Sequence, residues 1–508
     1  MLHDWFTRSV RRFPLEPALI ADGSRLTYAQ LDAVCRGIGR RLRAEGADRP
    51  RVGLLTARTV AAYAGYLAAL RTGGVVVPLD AGHPPERLSQ VTRSAGLDFM
   101  IADRKQDTAF LEGSPVRVLR IGQETVADLL GSAVTDDEPD WSGAPDEVAY
   151  LLFTSGSTGR PKGVPIRHGN VDDFLRFNIA RYEVGLGSRV AQMTHQTFDP
   201  SVLEMFMAWG AGAALVVPSA DELFDPVTFM NRHQITHMFS VPSLITMAGE
   251  ADLLPPGSMP SLRWSLFGGE KLTPVQARAW VDAAPNTTLE NLYGPTECTV
   301  AVTAYRLPAD RASWPVTANG TVPIGQVYPH LDYRIDPDGE LLVRGSQRFS
   351  GYHDAADNIG RFAGPAGSDP DPSGLANPVR ADAWYRTGDR VAVQDGALVH
   401  LGRLDHQIKI RGNRVELHEV EGAIRIWVGV DDVVVHLVSR PDGMTELAAA
   451  CVGKVPPLPE FRERLREHLP LHMIPGRLIH VERLPLNDRG KVDRMACAAI
   501  LEAETATP

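Results

Sequence analysis

The apolar run Val148–Phe153 leads without a break into Thr154-Ser-Gly-Ser-Thr-Gly-Arg-Pro-Lys-Gly163. A short run of that kind reads as a buried strand, and a polar glycine-rich loop leaving its end points to an open α/β sheet, where ligands bind beyond the strand ends. Glycines without a Cβ let backbone N–H groups close on an anion. The hydroxyls of Ser155, Ser157 and Thr158 and the cations Arg160 and Lys162 add donors and charge. The stretch reads as a polyphosphate grip. It is not the common P-loop, which needs Gly-Lys-Ser/Thr opening a helix, because Lys162 is followed by Gly163 and Val164.

The flanking sequence supports that fold class. Thr27-Tyr-Ala-Gln30 is a capping box before a helical pattern that ends at Gly46. Asn170 reads as the N-cap of another helix, with Asp172 and Asp173 in its first turn. A strand (51–56), a helix (58–71), the breaker Gly73-Gly74 and a strand (75–79) form a βαβ unit. Strand patterns at 190–193, 213–217, 237–241, 264–267 and 289–292 alternate with helical ones at 202–209 and 226–233, the pattern of a helix-covered α/β sheet. From about Leu307 the pattern turns to short strands. The polar stretches 131–146 and 360–381 read as connections. A strand (407–411), a helix (416–427), two β-rich runs (433–438, 447–452) and a helix (458–468) suffice for a small α+β domain. The expected boundary gives a core of residues 1–404 and a C-terminal domain of 405–508.

Composition narrows the function. A formal charge of −10 over 508 residues argues against binding nucleic acid through a net field. Four scattered cysteines without a CxxC pair suggest reduced thiols and a cytoplasmic location, and apolar runs too short or broken to span a bilayer predict no membrane association.

Three further stretches carry chemistry. Asn291-Leu-Tyr-Gly-Pro-Thr-Glu297 breaks a strand at Gly-Pro and leaves Tyr293 to stack on a base and Glu297 to offer oxygen to Mg²⁺. Tyr385-Arg-Thr-Gly-Asp389 ends in a carboxylate suited to sugar hydroxyls. Pro485-Leu-Asn-Asp-Arg-Gly-Lys-Val-Asp-Arg494 is a polar turn carrying Lys491. Together with Phe198-Asp-Pro-Ser201 and Gly402-Arg-Leu-Asp-His-Gln-Ile-Lys-Ile-Arg-Gly412, these motifs resemble those of the adenylate-forming superfamily. The likeness is greatest to amino-acid adenylation domains of nonribosomal peptide assembly and to D-alanine–carrier-protein ligases. It covers nearly the whole chain, in the family's order.

The resemblance implies a layered α/β core with a β-rich subdomain and a mobile α+β C-terminal domain. It also implies a reaction in which a carboxylate attacks the α-phosphorus of Mg·ATP and the acyl group then passes to a phosphopantetheine thiol. Thr154, Ser155, Gly156, Ser157 and Thr158 would hold the β- and γ-phosphates, with Lys162 assisting. Tyr293, Gly269, Glu270 and Asn291 would surround adenine. Asp389 and Arg403 would take the ribose hydroxyls, Glu297 the Mg²⁺, and Thr296 the α-phosphate or the substrate carboxylate. Lys491 would bridge that carboxylate and the α-phosphate, and Asp405 would be the hinge that carries it in and out.

By the same resemblance Asp199 pairs with the α-amino group of an amino acid. A fatty or aryl acid would leave that carboxylate buried without a partner charge. The remaining pocket positions, Leu203, Phe239, Leu266, Gly268, Leu292, Val300 and Ala301, are uncharged and mostly bulky, which favours a small uncharged amino acid, alanine first. Serine, glycine, 2-aminobutyrate and valine compete, since one methylene discriminates by only ~1–3 kcal/mol. Gly268 replaces a cysteine tied to D-preference in the D-alanine ligases, so the L isomer is expected. His195 reads as a structural histidine, and His418 stands where peptide-synthetase domains carry glycine. With no carrier segment after Pro508, the expected partner is a separate carrier protein. Transfer to an amine of a carrier-bound aminoacyl chain, or acyl- or aryl-CoA ligation, are the alternatives.

Overall fold

A computed structural model describes residues 1–46, 48–131, 140–156, 160–364, 378–405, 407–440, 444–486 and 492–505. The chain forms two compact units. The first holds Met1–Ala81, Thr92–Phe153 and Gly163–Leu404; the second holds Gly82–Val91, Thr154–Lys162 and Asp405–Pro508.

The first unit is built on two largely parallel sheets and an antiparallel one. The nine-stranded sheet runs, across its width, Gln326–Val327, Thr303–Arg306, Thr288–Tyr293, Trp264–Gly268, His237–Ser240, Arg189–Ala191, Ala214–Val216, Pro17–Ala21 and Ser24–Thr27. Its central pairs are parallel and its outermost pairs antiparallel. The six-stranded sheet has Arg51–Leu55 and Val75–Pro78 side by side and parallel, as the βαβ reading predicts, and ends with Val148–Thr154 and Lys162–Arg167. The antiparallel sheet contains Glu340–Gly345, Trp384–Gln394 and Ala397–Arg403.

Local signals explain several elements. Thr27 caps the helix Tyr28–Ala44, its side chain accepting from the Gln30 amide while Gln30 accepts from the Thr27 amide. The helix Val60–Arg71 is buried on every face and shows no amphipathic stripe because it is packed between layers. One large apolar cluster runs through this unit, from Leu2 and Phe6 to Val391 and Leu398.

The helix around Asn170 departs from expectation. It begins at His168, with Arg167 as N-cap, and Asn170 occupies the third helical position, where its Oδ1 accepts from the Arg167 amide. Its Nδ2 reaches the carbonyls of Ser346 and Arg348 at 2.6 and 3.1 Å. Those distant acceptors decide its place, so Asp172 and Asp173 fall beyond the first turn.

The second unit contains the hairpin Gln407–Ile410/Asn413–Glu416 and a three-stranded sheet of Asp432–Ser439, Thr445–Val452 and Arg477–His480. The helix read over 416–427 is α-helical only over Leu417–Ala423 and widens into a π turn, Ile424–Val428, that ends at Gly429 in the left-handed region. Among the described residues no helix is long and apolar enough to cross a membrane. All four cysteines are reduced and buried.

Candidate active site

Asp199 is the N-cap of the helix Pro200–Gly210, and Pro200 presets the first helical turn. Its carboxylate is buried, and Oδ2 accepts the Val300 amide at 3.0 Å. The segment that follows the strand Arg189–Ala191 is braced by the same helix. Glu204, fully buried one turn into the same helix, accepts from Gln192 Nε2, the amides of Met193 and Thr194, and the Thr194 hydroxyl at 2.9–3.2 Å. Burial pushes this carboxyl well above the usual carboxylate range, against the opposing Arg58 charge. Arg58 in turn donates to the carbonyls of Gln192 and Met193.

The expected pocket positions lie together. Leu203, Phe239, Leu266, Leu292, Val300 and Ala301 belong to one buried cluster, and the sheet register sets Phe239 beside Leu266 and Gly268 beside Leu292. A Cβ on Gly268 would lie 2.8 Å from the Leu292 carbonyl and 3.3 Å from the Phe239 ring, so glycine is what permits the strand and the ring to approach. His195 is engaged locally, its Nδ1 2.8 Å from Thr197 Oγ1, and burial lowers its pKa.

A second cluster in the same unit gathers polar groups. Asp389 is buried and bonded to Tyr293 Oη at 2.7 Å, Arg403 Nη1 at 2.8 Å and His400 Nε2 at 3.0 Å. Burial alone would raise this carboxyl, but the His400 hydrogen bond and the Arg403 charge outweigh it and bring the pKa down to about 2. Burial and the Asp389 charge push the Tyr293 phenol well up, and its ring lies 5.9 Å from that of His400. Asn291 donates to the carbonyls of Val322 and Pro323, while its buried Oδ1 has no hydrogen-bond partner among the described residues. That oxygen lacks a donor of the kind an adenine amine supplies. Gly269 has φ +83°, and Glu270 accepts the Ser243 amide at 3.0 Å.

Thr296 opens a short 3₁₀ turn that sets Glu297 inward, fully buried, with Oε1 accepting from Tyr352 Oη at 2.6 Å. A buried carboxylate is a suitable oxygen donor for Mg²⁺, an ion usually held by one or two carboxylates and substrate phosphates. No cluster of three or more acidic, histidine or cysteine side chains suited to a metal occurs among the described residues.

The remaining expected residues belong to the second unit or are not described. Ser155 Oγ donates to the Arg414 carbonyl at 2.7 Å, and Lys162 is buried. A Cβ on Gly156 would sit 2.2 Å from the Arg160 carbonyl, which accounts for a glycine in the loop. Thr154 is partly buried, and Asp405 accepts the Gln407 amide. His418 pairs with Glu421 on its own helix at 3.0 Å. Ser157, Thr158 and Lys491 lie outside the described residues.

The family model for AMP-binding enzymes matches residues 6–353. The chain belongs to that family. This AMP-binding enzyme is 34% identical over 97% of its length to phosphinothricin tripeptide synthetase PhsC of Streptomyces viridochromogenes, of which it covers 45%. It spans only 3% of the FR901469 synthetase of Dothideomycetidae sp. and 8% of tyrocidine synthase 3 of Brevibacillus parabrevis, so these curated relatives are far longer than the chain. Among solved structures it resembles IdnL7, with 36% identity, a TM-score of 0.70 and 99% of each chain covered. It also resembles the Vibrio cholerae adenylation domain AlmE in complex with glycyl-adenosine-5'-phosphate, with 26% identity, a TM-score of 0.79 and 98% of each chain covered.

Glu204, Arg58, Tyr352 and His400 escaped the sequence reading. Nothing in local patterning marks Glu204 or Arg58, whose partners, backbone and side-chain groups of residues 192–194, belong to a separate segment of the chain. Tyr352, in Gly351-Tyr352, and His400, three residues before Arg403, lie close to recognised motifs and could have been noticed there.

Proposed function

We propose that this enzyme uses ATP to adenylate a small uncharged amino acid, alanine first and as the L isomer, and passes the aminoacyl group to the phosphopantetheine thiol of a separate carrier protein. The observation that carries the reading is Asp199, a buried carboxylate at a helix N-terminus tied to Val300 at the edge of an otherwise apolar residue set. An ammonium group compensates such a charge; a fatty acid does not. Similarity to a tripeptide synthetase and to an adenylation domain solved with a glycyl-adenylate supports an amino-acid substrate.

In this reading Tyr293 and Asn291 receive the base, Asp389 and Arg403 the ribose, and Glu297 holds Mg²⁺, which supplies charge neutralisation at the phosphates when bound. Thr296 donates to the α-phosphate or the substrate carboxylate. The loop 154–158 and Lys162 take the leaving pyrophosphate, and Lys491 neutralises the charge that develops between carboxylate and α-phosphate. Lys491 lies in the C-terminal segment 405–508, so withdrawing that segment about Asp405 ends the first half-reaction and admits the thiol.

The test is ATP–pyrophosphate exchange over amino, fatty and aryl acids, followed by intact mass of candidate carrier proteins incubated with the enzyme, ATP and the preferred acid. Exchange confined to acids lacking an α-amino group would refute the amino-acid reading. A mass increase on an aminoacylated carrier, with none on its free thiol form, would refute the thiol acceptor.

A further inference from the structure

Gln347 is fully buried in the segment that follows the strand Glu340–Gly345, away from every motif discussed above. Its Nε2 lies 3.1, 3.1 and 2.8 Å from the carbonyl oxygens of Cys298, Thr299 and Ala301. Its own carbonyl accepts from Thr299 Oγ1 at 2.7 Å, and its Oε1 accepts from His330 Nε2 at 2.6 Å. One side chain thus collects most of the carbonyls of a four-residue turn.

That turn is the strained part of the site. Thr299 and Val300 are consecutive β-branched residues with φ of +59° and +69°, a region in which such side chains are genuine outliers. A conformation of this kind persists only where the surroundings over-determine it. Here it directs the Val300 amide to Asp199 Oδ2 and sets Val300 and Ala301 within the apolar pocket set. The neighbouring nucleotide-side residue is held by other contacts. Phe349 N donates to the Glu297 carbonyl at 2.8 Å and Tyr352 Oη to its carboxylate. Gln347 therefore grips one end of the 296–301 segment and leaves the other to its neighbours.

We infer that Gln347 is a positioning residue for amino-acid selection: by holding Thr299 and Val300 in left-handed backbone it aims the Val300 amide at Asp199 and keeps that carboxylate where an α-ammonium group binds. This rests on the proposed role of Asp199. The Gln347 side-chain amide is already engaged by protein groups, and its removal acts on amino-acid recognition ahead of ATP recognition.

The experiment is ATP–pyrophosphate exchange by the full chain with alanine, serine, glycine, 2-aminobutyrate and valine, each against its des-amino acid, for wild type, Gln347→Met, Thr299→Val, Asp199→Asn and the Gln347→Met/Asp199→Asn double variant. Gln347→Met keeps length and loses both donors; Thr299→Val removes the reciprocal hydroxyl bond and carries the test if Gln347→Met fails to fold. The expected result is a KM for the preferred amino acid raised by at least about tenfold, equivalent to about 1.4 kcal/mol, with the KM for ATP changed less than about twofold. The loss of discrimination against the des-amino acid should be non-additive with Asp199→Asn, because both act on one carboxylate. Equal rises in both KM values, or full additivity, would overturn this inference while leaving the amino-acid reading in place. A wild-type enzyme that exchanges with none of the five amino acids would remove the small-amino-acid reading and this inference with it.

Discussion

Asp199→Asn separates charge from shape at the proposed amino-acid site. An asparagine Oδ1 can still accept the Val300 amide, so the turn it anchors keeps its partner while the negative charge is lost. The carboxylate is 8% exposed, which places an ammonium–carboxylate pair in the regime where about 4 kcal/mol of attraction acts at about 4 Å with an effective dielectric near 20. Breaking one half of a buried pair typically costs about 3–5 kcal/mol. The expected loss in kcat/KM for the preferred amino acid is therefore roughly two to four orders of magnitude, since each 1.36 kcal/mol is tenfold in rate. Exchange assays on alanine and propionate measure it directly. Propionate, lacking the ammonium, should be unaffected or improved, so the ratio between the two acids collapses. A variant in which both acids fall by the same factor would show that Asp199 supports the fold of the turn and does not read the amino group.

Three other outcomes are expected. Lys491→Ala should abolish pyrophosphate exchange and leave transfer from preformed aminoacyl-adenylate to a carrier thiol largely intact; equal loss of both half-reactions would count against a role confined to adenylation. Gly268→Ala should lower kcat/KM for alanine more than for glycine, because the new methyl meets the Leu292 carbonyl at 2.8 Å and the ring of Phe239, a proposed pocket residue, at 3.3 Å; a uniform loss would place Gly268 outside the selective wall. Acid should destabilise the fold before the carboxylates titrate: buried His237, which bridges Thr236 and the Tyr182 carbonyl, has a pKa lowered by burial to about 4. The unfolded state then binds the proton first, so stability present above about pH 6.5 is lost as pH falls toward 4, by up to about 3 kcal/mol. Urea denaturation at about pH 7, 5.5 and 4.5 measures the slope, which His237→Asn should reduce by its own share, since burial lowers His3 and His168 in the same way.

Some parts of the candidate site are legible in the chain because they are local. The loop beginning at Thr154 and the Asn291–Glu297 stretch each join a strand to a polar turn, and strand periodicity and turn chemistry are short-range signals, whereas Tyr385–Asp389 lies inside the strand Trp384–Gln394. Thr27 and Gln30 likewise form a capping box within one turn. Asn170 illustrates where local reading fails: its identity suits an N-cap, yet carbonyls 176 and 178 residues away draw it to the third helical position. Glu204, His400 and Gln347 are of the same kind. Each is an ordinary polar residue in sequence, and each acquires its role from backbone or side-chain groups presented by another element.

The sequence alone determined the alternation of strands and helices, the glycine- and hydroxyl-rich make-up of the loop at Thr154, and the uncharged character of Leu203, Phe239, Leu266, Gly268, Leu292, Val300 and Ala301, because these depend on residue type and spacing. The tertiary structure decided which groups meet. It put Tyr293, His400 and Arg403 on Asp389, lowering that carboxyl to about 2 although burial alone would raise it. It also brought Gln347 under a turn that two β-branched residues would not adopt unaided. A hydrogen bond between groups distant along the chain exists only once the intervening chain has packed, so its strength, and the strain it sustains, are properties of the fold.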